Sequence, residues 1–170
     1  MDEKGNVKIK GFETVRRNWS FIAKQVQEEI LNIILKEHNA KKALEYAKNI
    51  INDLRNKKIP NEKVIIHTQL QKEIKEYTSI GPHVAIAKKL QAKGMDVGPG
   101  TIIEFIVTSV SGIIREKAKL PEEVSEGEYD SDYYINHQIV PSVERIFNVL
   151  GFTKQDLLES KDQSKLRSFF

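Results

Sequence analysis

Apolar residues recur along this chain in two rhythms, one of three to four residues and one of two. Ile22, Val26, Ile30, Ile33 and Ile34 follow the longer rhythm, the stripe of a helix that buries one face. Asn18 or Ser20 is placed to cap that helix. The pair His38-Asn39 breaks the stripe. Ala43, Leu44, Ala47, Ile50, Ile51 and Leu54 then form a second one, which Pro60 stops. So short a connection predicts an antiparallel helical hairpin. The two-residue rhythm appears in "VKIKGF" at 7–12, where Val7, Ile9 and Gly11 share one face and Lys8 and Lys10 the other. A lone strand needs a sheet to join, and no partner strand lies nearby in the sequence.

The middle of the chain mixes the two rhythms. Residues 63–70, "KVIIHTQL", read as a strand. "GPHVAIAKKLQAKG" at 81–94 reads as a helix, with Pro82 in its first turn and Gly94 just past its end. Gly98-Pro99-Gly100 makes a turn into a strand at 101–107. "PEEVSEGEYDSD" is an acidic, solvated loop. A last helix is predicted over 131–151, capped by Ser131 or Asp132, kinked at Pro141 and ended by Gly151. Beyond Lys154 the composition turns polar. No internal repeat is present. The fold class is α+β, mainly helical.

Composition narrows the function. Charged residues make up 30% of the 170 and the net charge is +3, a globular balance with a mildly basic surface. The absence of cysteine excludes disulfides and thiolate chemistry. No apolar run reaches membrane-spanning length and "MDEKGNVKIK" lacks a signal-peptide core, so a soluble, cytoplasmic protein is expected.

No catalytic constellation emerges. His38, His67, His83 and His137 are scattered, without metal-ligand spacing. Glu122, Glu123, Glu126, Glu128, Asp130 and Asp132 cluster in the acidic loop but follow no calcium-loop pattern. No phosphate-binding glycine motif is present.

Two basic stretches point to phosphate. Arg16 and Arg17 stand just ahead of a helix start, where anions are favoured; a structural ion pair is the competing reading. In "KEYTSIGPHVAIAKKL", Lys75, Tyr77, Ser79 and His83 gather donors around a Gly-Pro helix start, with Lys88 and Lys89 one to two turns on. That grouping suits a nucleic-acid backbone or an ordinary exposed cap. The end of the chain carries a third signal, Gln163, Leu166, Phe169 and Phe170 in the pattern Q-x-x-L-x-x-F-F. On a helical turn the last three form one apolar plug of the kind that anchors interfaces. The polar run between Lys154 and Lys165 spaces this plug away from the core.

Taken together, these stretches resemble the C-terminal end of archaeal family B DNA polymerases. The resemblance runs over residues 2–157, through "DEKGNVKIKGFETVRRNWS", "IPNEKVIIHTQL", "KEYTSIGPHVAIAKKLQAKG", "PGTIIEFIV", "DSDYYINHQIVPSVERI" and "GFTKQDL". The tail is similar to the PCNA-interacting box, which binds the ring-shaped sliding clamp.

The resemblance implies a division of the chain. Residues 1–16 would complete the palm sheet of a partner, 17–158 would form the thumb, with a helical base and a small mixed tip, and 159–170 would be a flexible tail. It implies DNA contacts at Arg16, Arg17, Asn18, Lys75, Tyr77, Ser79, His83 and Lys88. Asn18 departs from the acid usual in an Arg-Arg-Asp element, which puts that acid's ion pair in doubt. It implies clamp contacts at Gln163, Leu166, Phe169 and Phe170. The family's catalytic aspartates, which hold two magnesium ions for nucleotidyl transfer, lie upstream of the match. With Met1 at one end and the clamp box at the other, the expectation is a complete small subunit, inactive alone and partnered by a large catalytic subunit. A non-catalytic DNA- or clamp-binding adaptor derived from a thumb is the alternative.

Overall fold

The computed structural model describes residues 19–159. The strand expected at 7–12 lies outside them. Helix α1, Phe21–Asn32, starts where expected: the Ser20 side chain accepts a hydrogen bond from the Ala23 N–H. It runs into a widened π turn, Ile33–Glu37, and stops at His38, whose N–H donates to the Ile34 carbonyl and whose left-handed backbone (φ 51°) turns the chain out of the helix. Asn39 then caps α2, Ala40–Arg55, through the Lys42 N–H. The His38-Asn39 pair thus ends one helix and starts the next.

The two stripes meet as predicted. Ile22, Val26 and Ile30 from α1, Ile33 from the π turn, and Ala43, Ala47, Ile51 and Leu54 from α2 are buried. Each large aliphatic side chain so buried contributes roughly 1.5–3 kcal/mol.

The strand expected at 63–70 is shorter. Asn61–Val64 forms a one-turn helix, α3, opened by the extended backbone of Pro60. The Asn61 amide explains the turn: its Nδ2 donates to the carbonyls of Val124 and Ser125, and its Oδ1 accepts from the Gly127 N–H. Strand β1 is confined to Ile66–Gln69. It pairs antiparallel with β2, Ile102–Val107, in a register that sets Ile66 opposite Phe105 and Thr68 opposite Ile103 on the buried face. His67 and Glu104 share the other face and pair, Nε2 to Oε1, at 3.1 Å. Helix α4, Pro82–Ala92, lies between these strands in sequence, with Gly94 (φ +89°) supplying the left-handed exit that glycine takes without strain.

A one-turn helix α5, Ile114–Lys117, leads into a two-residue strand β3, Ala118–Lys119, which completes a three-stranded antiparallel sheet in the order β1-β2-β3. Neither α5 nor β3 was legible. The acidic loop is also more than solvated surface. Tyr129 is fully buried with its hydroxyl donating to the Ile59 carbonyl, Glu123 pairs with Lys93 at 3.5 Å, and the Asn61 N–H donates to Glu126 Oε1.

Asp130, rather than Ser131 or Asp132, caps the last long helix, accepting from the Tyr133 N–H at 3.1 Å. That helix comprises α6, Ser131–Tyr134, a π turn, Ile135–Ile139, and α7, Val140–Val149. The irregularity expected at Pro141 takes the form of this widened turn, just upstream of the residue that has no N–H to give. A buried polar seam joins the last long helix to α1 and its cap: Gln27 Nε2 donates to the Ser142 carbonyl at 2.6 Å, and the Ser20 N–H donates to Gln138 Oε1, in the π turn, at 2.7 Å.

The polar run after Lys154 does not simply lead away from the core. Residues Lys154–Leu158 form α8, opened by a reciprocal cap between Thr153 and Asp156, and Leu157 is buried. Arg55 Nη2 ties the end of α8 to α2 through the Leu158 carbonyl at 3.0 Å. The fold is mainly helical, and α4 packs against β2 and β3 of the small sheet.

Candidate nucleic-acid interface

The segment before α4 is organised by one aromatic ring. Ile74 is buried in a 3₁₀ turn, Ile74–Glu76, which leaves Lys75 exposed. The Tyr77 hydroxyl accepts from the Gln71 N–H at 3.0 Å, and the Lys72 ammonium lies 5.1 Å from the centre of the Tyr77 ring. The same ring meets that of His83 edge to face. Gly81 enters α4 in extended backbone and Pro82 takes the first turn, so His83 follows at the helix N-terminus. Burial pushes the His83 pKa below the ordinary histidine value and favours the neutral imidazole.

Of the residues expected to bind nucleic acid, Tyr77 and His83 are in contact. Lys75, Ser79 and Lys88 are exposed, Lys88 on α4 beyond His83. Lys89 is committed elsewhere, within 3.8 Å of Glu123. Arg16, Arg17 and Asn18 lie outside the described residues, as do Gln163, Leu166, Phe169 and Phe170.

A cleft of about 350 Å³ opens beside His83, with Ile66 and Phe105 from the sheet, Ile114 from α5, and Tyr133 and His137 from the last helix among its walls. Tyr133 and His137 stack at 5.3 Å with planes tilted by 33°. The contribution of α5 was not legible, since "SGIIREK" carries no periodic signal. Yet α5 lines this cleft and presents the exposed Arg115 immediately after Ile114. Among the described residues no group of three or more histidines and carboxylates is placed to hold a metal ion, and no helix is long and apolar enough to cross a membrane.

Comparison with known proteins identifies the family. The family model for DNA polymerase family B matches residues 1–150. The chain belongs to DNA polymerase family B. A DNA polymerase of Thermococcus aggregans is 46% identical over 159 residues, covering 92% of this chain and 9% of that protein. The DNA polymerase of Methanocaldococcus jannaschii is 45% identical over 170 residues, 100% of this chain and 10% of its own length. Among solved structures, the family B DNA polymerase from the hyperthermophilic archaeon Pyrobaculum calidifontis superposes with a TM-score of 0.70 at 33% identity, over 80% of this chain and 18% of that one. This family B chain therefore spans about a tenth of the length of these two sequence relatives. Its helices and three-stranded sheet are similar to part of a complete polymerase.

Proposed function

We propose that this chain is the thumb-forming small subunit of a family B DNA polymerase divided between two polypeptides. One observation supports the polymerase role: the chain superposes on a solved family B DNA polymerase with a TM-score of 0.70 at 33% identity over 80% of its length. The rest of a working polymerase would be supplied by a large subunit holding the catalytic aspartates and their two magnesium ions. Within the chain, 1–16 would complete the partner's palm sheet, 17–158 would be the thumb and 159–170 the tail. The burial of Leu157 supports a thumb boundary near 158.

The thumb would grip the primer–template duplex through Arg16, Arg17, Asn18, Lys75, Tyr77, Ser79, His83 and Lys88. The Tyr77–His83 contact supports this assignment, because it fixes the exposed 75–79 segment against the start of α4. Gln163, Leu166, Phe169 and Phe170 would dock on the sliding clamp. Pull-down of the chain from its native source, read by mass spectrometry, tests the reading. Recovery of a large polymerase subunit together with a sliding clamp is expected. A chain that recovers clamp or DNA but no catalytic polypeptide would instead be an adaptor.

A further inference from the structure

Trp19 and Ser20, immediately ahead of α1, are buried. Ser20 is held from three directions. Its side chain accepts from the Ala23 N–H, its backbone bridges Ile66 of β1 in antiparallel fashion, and its own N–H donates to Gln138 Oε1 at 2.7 Å. Ser20 caps α1 from extended backbone (ψ 160°), so its N–H takes no part in the helical ladder. A buried N–H of that kind needs an acceptor from elsewhere, and Gln138 supplies it across 118 residues of chain.

Gln138 is itself 3% exposed and sits in the π turn Ile135–Ile139 of the last long helix. Single π turns within α-helices recur at functional positions. The same side chain hydrogen-bonds the Tyr133 hydroxyl. With the amide shared between Ser20 and Tyr133, the side chain is held in one orientation. An apolar side chain of the same length would fill this space; the amide adds a direction. Arg17 and Arg16 stand three and four residues before Ser20. Arginine meets phosphate through two parallel N–H groups, a geometry that tolerates little displacement.

We infer that Gln138 is a positioning residue for the duplex grip: through the Ser20 N–H it fixes the point from which the chain carries Arg16 and Arg17 to the phosphates. The inference rests on the DNA contacts proposed above for these two arginines and adds the residue that aims them. Loss of the Gln138 bond should then act through those two contacts and no others.

Fluorescence-anisotropy titration of the full chain against a DNA duplex, over a series of salt concentrations, tests this. Thermal melts establish that each variant is folded at the temperature of measurement. Gln138→Met keeps the length of the side chain and removes the acceptor. It should weaken binding about fivefold and lower the slope of log affinity against log salt by about one to two. In an Arg16→Ala/Arg17→Ala background the same substitution should change affinity by less than about twofold, because the contacts it acts through are already gone. Gln138→Asn draws the amide one methylene back from Ser20; it should give the same pattern and serves where Gln138→Met does not fold. A loss of equal size in both backgrounds, an unchanged salt slope, or no loss at all would overturn the inference. An Arg16→Ala/Arg17→Ala variant that binds as tightly as wild type, or a wild type that binds no duplex at low salt, would instead sink the arginine contacts on which it rests.

Discussion

The rings of Tyr77 and His83 meet edge to face, with centroids 5.7 Å apart and planes at 84°. This contact closes a short loop onto the N-terminus of α4 and presents Lys75 and Ser79 beside it. Edge-to-face aromatic pairs contribute about 0.5–1.5 kcal/mol beyond their area. Tyr77→Ala should therefore weaken duplex binding roughly fivefold by loosening that loop. Tyr77→Phe keeps the ring and gives up only the bond from the Gln71 N–H, so its affinity should stay within about threefold of wild type. Anisotropy titrations of both variants check the pair; equal losses would place the effect on the hydroxyl rather than the ring.

Binding through phosphate contacts has a recognisable salt response. Lys88→Ala should weaken duplex binding uniformly across unrelated sequences and lower the slope of log affinity against log salt by about one. Arg17→Ala should act in the same way. A loss confined to one sequence would contradict a backbone grip.

Asp130 links the sheet to the last helix and makes stability depend on pH. Burial works against its charge, but the Lys117 ammonium and the N–H groups of Tyr133 and Asp132 outweigh that effect and hold its carboxyl below the ordinary range. A carboxylate with a depressed folded pKa stabilises the fold above its unfolded value, about 3.9, and loses that contribution as pH falls through the folded value. Asp130→Asn should cost about 2 kcal/mol at neutral pH, as for a lost hydrogen bond to a charged group, and abolish this part of the acid sensitivity. Asp130→Ala, which also removes the helix cap, should cost about 1 kcal/mol more. Thermal melts from neutral to acid pH measure both.

The tail makes a separable prediction. Phe169→Ala with Phe170→Ala should abolish clamp binding and clamp-stimulated synthesis, while basal extension by the assembled polymerase survives. Calorimetric titration against the clamp and a clamp-free extension assay read the two halves. Collapse of basal extension would make the phenylalanines part of the fold.

The long elements were legible because their stripes are redundant. Ile22, Val26 and Ile30 repeat one helical face, as do Ala43, Ala47, Ile51 and Leu54, so no single residue decides the element. Short elements lack that redundancy. Ala118–Lys119 is a strand only because β2 lies beside it. Asn61–Val64 turns helical because the Asn61 amide is spent on the 124–127 backbone, a contact set by chain segments more than 60 residues apart. The cap falls at Asp130, one or two residues ahead of the expected Ser131 or Asp132, because three adjacent residues there are all competent to cap. Helix α8 did carry a signal, the Thr153–Asp156 spacing of a reciprocal cap, which the polar composition around it obscured. In the candidate interface, the Gly-Pro helix start and its donors were legible, whereas the contribution of α5 to the cleft was not. Exposure is a property of the folded surface, and "SGIIREK" reads equally well as buried.

The most direct measurement is primer extension with the purified chain, the large subunit and their mixture, in deoxynucleotides and magnesium. The account predicts no extension by this chain alone, and a clear gain in rate and processivity when it is added to the large subunit. Extension by this chain alone, or a large subunit equally active and processive without it, would contradict the account.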